Sequence, residues 1–204
     1  RTGTAKAACA PRAIIVDAET GIQCKADTVG EIWVSGRTVA KGYYNNPEAT
    51  ENTFNARLSD TNEGPFLRTG DLGFIHKGEL YVTGRIKDVI IVDGANHYPQ
   101  DIEETVEKAH PAIRPGCVIA FPVDEDGPEK LVVVAEASGL SNAEDAAPVY
   151  AAVRKAVARD HDLRVYKVCL IQPRSIQKTS SGKLQRQACK RGHLDNTLDV
   201  IAVG

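Results

Sequence analysis

Apolar positions change their spacing part-way along this chain. Residues 13–17 (AIIVD) form a short apolar run, and residues 30–35 (GEIWVS) alternate apolar with polar, so both are expected to be strands. NNPEATENTF reads as a short helix, with Asn46 able to cap it and Pro47 at its first position, where no backbone donor is needed. Residues 56–65 are polar and punctuated by glycine and proline, the pattern of a surface loop. LGFIHKGELYVTG reads as a hairpin turning at His76-Lys77-Gly78. This first region is therefore expected to be β-rich, a small barrel or curled sheet.

After Gly84 the pattern alters. VIIV (89–92) has the composition of a buried strand. In PQDIEETVEKAH, Ile102, Thr105, Val106 and Ala109 fall at helical spacing. Acids fill its first turn, and Lys108 and His110 lie near its last, matching the helix dipole. CVIAF (117–121) and LVVVA (131–135) are expected strands joined by the turn-rich VDEDGPEK. Val149, Ala152, Val153, Ala156 and Val157 make a one-sided helical stripe, with Pro148 in the first turn. KVCLI (167–171) is the last expected strand. The order β-α-β-β-α-β describes a compact α+β unit with its helices on one sheet face. The expected division is a β-rich part over 1–84, a hinge at 85–88 and a small C-terminal domain over 89–204.

Composition narrows the function classes. The 204 residues are 42% hydrophobic and 25% charged with a net charge of -2, which gives no global pull toward nucleic acid or an anionic membrane. No apolar run approaches the ~20 residues that span a bilayer, and no secretory signal is expected at the start. The five cysteines, at 9, 24, 117, 169 and 189, show no CxxC spacing, so neither a disulfide framework nor a zinc site is indicated and a reducing cytoplasm is expected. The chain begins at Arg1 and contains no methionine, so it is expected to be a piece of a longer protein.

Three polar clusters sit among glycines. In RTGDLG (68–73), Asp71 lies between glycines that permit a tight turn, and its carboxylate could accept from vicinal ribose hydroxyls or simply cap the turn. In the stretch 83–103, Arg85, Lys87 and Asp88 crowd the boundary, either as hinge chemistry or as solvated charge, while Gly94, Asn96 and Pro99 shape a loop entering a helix. His97 there is read as a capping or packing residue. KTSSGKLQR (178–186) has Gln177 where a P-loop needs its first glycine, so it is not one. Lys178, Lys183, Arg186, Lys190 and Arg191 lack the interleaved aromatics of a nucleic-acid patch and read as a solvated helix face. Lys183 differs because small, flexible residues precede it, so the loop could carry an ammonium into a site and out again.

Taken together, GEIWVSGRTVAKGYYNNPEATENTF, RTGDLG, GRIKD and KTSSGK resemble the late motifs of the adenylate-forming superfamily, which holds acyl-CoA synthetases, peptide-synthetase adenylation domains and luciferases. The resemblance runs from about residue 12 to residue 191, and NHYPQDIE is most similar to the fatty acyl-AMP ligases. One departure is Ala95, where those ligases often have arginine. The resemblance implies that a fatty-acid carboxylate attacks the α-phosphorus of ATP, carried with magnesium, to give acyl-AMP and pyrophosphate. It places Lys183 as the catalytic cation, Asp71 on the ribose hydroxyls, Arg85 on the ribose or phosphate side, and Lys87 at a hinge. The loop 93–98, with Gly94 and Asn96, would serve the second step, transfer to the phosphopantetheine thiol of an acyl carrier protein. The phosphate loop and acyl pocket of that family lie upstream of this chain, and ATP and its magnesium would be held mainly there. An acyl-CoA synthetase with the same first step, or a catalytically silent adenylation-like binding module, are the alternatives.

Overall fold

The structure is a computed structural model that describes residues 11–92, 94–124, 127–140 and 143–204. Cys9 and part of the expected VDEDGPEK turn lie outside the described residues. The chain is mixed α+β and divides into two compact units, up to Lys87 and from Asp88 onward.

The first unit is an antiparallel meander in the order β1 (Arg12–Val16), β2 (Gly30–Ser35), β3 (Leu67–His76), β4 (Glu79–Arg85). The β-rich expectation holds, as an open sheet with β1 and β4 at its edges. Ile14, Val16, Trp33, Leu58 and Phe66 pack into its core. Helix α1 (Pro47–Phe54) is capped as expected: Asn46 Oδ1 accepts from the Ala49 backbone N–H at 3.0 Å. Lys77 and Gly78 turn the β3–β4 hairpin with φ of 50° and 85°, the two left-handed residues that a tight two-residue hairpin turn demands.

The second unit is built on a sheet ordered β10-β9-β8-β7, from β7 (Ile113–Val123), β8 (Lys130–Ala137), β9 (Val165–Ile171) and β10 (Val200–Val203). β8 runs antiparallel to β7 and parallel to β9. The parallel pair needs a crossover, and α3 (Ala143–His161) supplies it. Side chains divide by parity. Val118, Ala120, Val133, Ala135, Val168 and Leu170 face Ile102 and Val106 of α2 (Pro99–Glu107) and Val149, Val153 and Val157 of α3. Ile119, Phe121, Val132, Val134, Cys169 and Ile171 face the other way, toward Cys189 of α4 (Arg186–Leu194). Burial on both faces explains why the β8 sequence is a continuous apolar run.

Three expectations change here. VIIV does not join the main sheet: β5 (Ile90–Val92) pairs with β6 (Ala95–His97) in a separate ribbon, in which Ile90 is buried and Ile91 exposed. Helix α3 starts at Ala143, so Pro148 lies in its second turn; it is solvent-facing there, where water can satisfy the carbonyl it leaves without a donor. The helices also cover both sheet faces, because α4 closes the side opposite α2 and α3. Among the described residues, no helix is long and apolar enough to cross a membrane.

Candidate functional site

RTGDLG does not form a tight turn. It lies within β3, which bulges there: Trp33 pairs with Arg68, and Glu31 with Leu72. Gly70 sits in the bulge at φ 70°. The N–H groups that the bulge removes from the ladder find side chains instead. Gly70 N–H donates to Glu31 Oε1 at 3.1 Å, and Asp71 N–H donates to Thr69 Oγ1 at 3.1 Å, whose own hydroxyl donates to the Ile32 carbonyl at 2.7 Å. Glu31 is buried and also accepts from Trp33 Nε1 and Arg68 Nε, each at 2.9 Å. Sequence reasoning missed Glu31, although it lies two residues from Trp33 and so shares its inward face.

A second irregularity, in β4, sets the partner of Asp71. The turn at Lys77-Gly78 pairs His76 with Glu79, a register that would place Asp71 opposite Gly84. It slips by one between Leu72 and Gly73, so Leu72 faces Gly84 and Asp71 faces Arg85. The extra residue on β4 is Thr83, whose hydroxyl is buried without a hydrogen-bond partner. Arg85 Nε donates to Asp71 Oδ1 at 2.8 Å, with side-chain exposures of 62% and 39%. The bulge thus joins two of the expected site residues into one solvent-facing acceptor–donor pair. Gly73 keeps the strands close: a Cβ there would meet the Tyr81 carbonyl oxygen at 2.3 Å. Lys87 is exposed in a single 3-10 turn, Ile86–Asp88.

In the second unit, Gly94 turns the β5–β6 ribbon at φ 76°, and Asn96 is exposed on β6, paired with Ile91. The segment expected as a loop is therefore a short hairpin. Burial, and then the nearby His161, lower the His97 pKa from its ordinary 6.5.

The segment holding Lys183 is also more ordered than its small residues imply. Thr179 N–H donates to the Lys183 carbonyl at 2.8 Å, and Lys183 N–H donates to Thr179 Oγ1 at 3.1 Å. Gly182, at φ 82°, donates to the Thr179 carbonyl at 2.9 Å, and Gln185 N–H to the Gln177 carbonyl at 3.0 Å. The expected flexible loop is a hydrogen-bonded turn with Lys183 exposed on it, and among the described residues its ammonium has no ion-pair partner. The basic run around it is not one solvated face. Lys178 Nζ donates to the Gly116 carbonyl at 3.2 Å. The largely buried Arg186 donates to Asp88, Glu103 and the Ala120 carbonyl.

The sequence model of the Disco-interacting protein 2-like AMP domain matches residues 87–203. This chain belongs to that family. The chain is thus a member of the adenylate-forming superfamily, close to the fatty acyl-AMP ligases. It is 52% identical to the medium-chain-fatty-acid–[acyl-carrier-protein] ligase JamA of Moorena producens, over 91% of this chain and 31% of that protein. It is 48% identical to the 4-hydroxyphenylalkanoate adenylyltransferase of Mycobacterium tuberculosis, over 95% of this chain and 33% of the relative. A structure from work on fatty acyl-adenylate ligases of E. coli and L. pneumophila matches with a TM-score of 0.74 at 31% identity, covering 91% of this chain and 31% of that one. The chain spans about a third of the length of the curated relatives it matches.

Proposed function

We propose that this chain is the carboxyl-terminal part of a fatty acyl-AMP ligase. The carrying observation is Lys183: an exposed ammonium on an internally hydrogen-bonded turn, in a chain of an adenylate-forming family. In the reaction the fatty-acid carboxylate oxygen bonds to the α-phosphorus of ATP, and the bond from that phosphorus to the pyrophosphate oxygen breaks. Two anions must approach, so a cation that touches the carboxylate oxygen and the α-phosphate lowers the barrier. Lysine suits this role as a compact charge on a long stem. Asp71 would accept from the ribose hydroxyls, with Arg85 fixing its carboxylate and reaching the ribose or phosphate side.

The second step passes the acyl group to the phosphopantetheine thiol of an acyl carrier protein. The thiol sulfur bonds to the acyl carbon, AMP leaves, and the thiol proton is released. We assign Lys87 as the pivot between the two steps, and the β5–β6 hairpin, with Gly94 and Asn96, to the transfer step. Among the described residues no group of three or more acids, histidines or cysteines could hold a metal ion. Magnesium accompanying ATP would be held mainly by the upstream part of the full-length protein, and no step is assigned to it. A reducing cytoplasm is the proposed setting, supported by the free thiols of Cys24, Cys117, Cys169 and Cys189.

The test is Lys183→Ala in the full-length protein, read by fatty-acid-dependent ATP–pyrophosphate exchange. A loss of about 10²–10³-fold is expected, the size seen when one charge-stabilising group is removed. An unchanged rate overturns the assignment. Offered both acceptors, the full-length protein should acylate a carrier protein in preference to coenzyme A.

A further inference from the structure

Arg186 lies three residues beyond Lys183, at the first position of α4, and its guanidinium is fixed by four hydrogen bonds to three partners. Nη1 donates to Asp88 Oδ2 at 2.9 Å, Nη2 to Glu103 Oε1 at 2.8 Å and Oε2 at 3.0 Å, and Nε to the Ala120 carbonyl at 3.1 Å. The side-chain exposures of Arg186, Asp88 and Glu103 are 14%, 15% and 12%, so this is a largely desolvated cluster and not a surface ion pair. Each partner comes from a different element. Asp88 is the first residue of the second unit, Glu103 is on α2 and Ala120 on β7. Glu103 is held from a further side, because its Oε1 also accepts from the Ala120 backbone N–H at 2.9 Å.

We propose that Arg186 is a positioning residue for the adenylation step, which through Asp88, Glu103 and Ala120 fixes the base of the turn that presents Lys183. This inference rests on the function assigned above. Only Leu184 and Gln185 separate the two side chains, and the turn itself is closed by Thr179 and Gln177. The backbone of Lys183 is thus tied on one side to its own turn and on the other to a buried guanidinium. A lysine in place of Arg186 would keep the charge but could not span three partners with one planar fork. Asp88 adds a second role. It follows Lys87 directly, so the same guanidinium holds the chain where the second unit begins to the base of the Lys183 turn. Gln187 Nε2 reinforces that tie by donating to Asp88 Oδ1 at 3.4 Å.

The test uses the full-length protein and single-turnover acyl-AMP formation at saturating ATP and fatty acid. Arg186→Lys, Asp88→Asn and Glu103→Gln are each made alone and in a Lys183→Ala background. Arg186→Lys should lower the rate constant about 10²-fold, the cost of a misplacement near 1 Å. The KM for ATP should stay within about twofold, because the loss falls on the transition state. Asp88→Asn and Glu103→Gln keep the side-chain shape and should cost about tenfold each; they carry the test if Arg186→Lys does not fold. In the Lys183→Ala background none of the three should reduce the residual rate further. A multiplicative loss in both backgrounds overturns the proposal, since it would show that Arg186 acts on folding alone. Wild-type rates in all three variants, with Lys183→Ala inactive, overturn it equally. A fully active Lys183→Ala variant instead overturns the assigned function, and the inference falls with it.

Discussion

Glu31 in the first unit and Glu136 in the second are both buried carboxylates, and each sits where a sheet ladder fails. Glu31 is satisfied largely by side chains, Trp33 and Arg68, and spends one oxygen on the Gly70 N–H inside the β3 bulge. Glu136 instead takes its backbone donor from outside the ladder, the Ile176 N–H just past β9 at 2.9 Å, with Arg114 as its ion-pair partner. The first carboxylate supports the residue next to Asp71, whereas the second supports a chain segment seven residues before Lys183. Burying a charge is costly unless its hydrogen bonds are complete, so each glutamate marks irregular backbone that the unit must hold in one shape.

The strongest way to break this comparison is truncation. Glu136→Ala and Glu31→Ala each leave a backbone N–H without its acceptor, while Arg114 and Arg68 reach water, and each should cost about 1–3 kcal/mol in denaturant unfolding. Hydrogen exchange should separate them: the Gly70 amide loses protection in the first-unit variant and the Ile176 amide in the second. Loss at both amides in either variant would end the comparison.

Acid titration sharpens it. Burial alone would raise the Glu136 carboxyl, but the Arg174 and Ile176 N–H groups, Cys117 and Arg114 outweigh it, and the net shift is below the ordinary 4.5. Its stabilisation is therefore present above 4.5 and is lost as pH falls through the lower folded value. Glu103 has the opposite sign. Burial is its largest influence and lifts it above 4.5 despite Arg186. Its contribution is fullest below 4.5 and is lost as pH rises through the raised value. Glu136→Gln should flatten the acid limb of a stability–pH curve, and Glu103→Gln should steepen it. The same change in both variants would refute the assigned signs.

The smallest stability effect should come from the exposed pair. Asp71→Asn should cost about 0.2–1 kcal/mol of stability, as solvent-exposed ion pairs do. In the full-length protein it should raise the KM for ATP about tenfold, the worth of a hydrogen bond to a charged acceptor. A stability loss as large as that of Glu31→Ala would mean that Asp71 is a structural residue of the bulge.

Much of the architecture was legible because apolar periodicity is a local property. The β2 strand, α1 with its Asn46 cap, the hairpin at Lys77-Gly78 and the α3 stripe all follow from it. What escaped was non-local. The bulge at Thr83 decides that Asp71 faces Arg85 and not Gly84, and no residue type in GELYVTGR announces that slip. Arg186 reads as one more cation in a basic run, because its acids at 88 and 103 are far away in sequence. The order of the Lys183 turn depends on where one threonine hydroxyl points, which residue size does not reveal.

That turn has a thermodynamic consequence. Fixing the backbone of one residue costs about 1–2 kcal/mol in conformational entropy. Between Thr179 and Lys183 this cost is met when the second unit folds, through hydrogen bonds made within the turn. In the proposed role, engaging a substrate would freeze only the torsions of the lysine side chain, about 2 kcal/mol of rotamer freedom. The KTSSGK sequence thereby offers a charge whose backbone is settled before any ligand arrives.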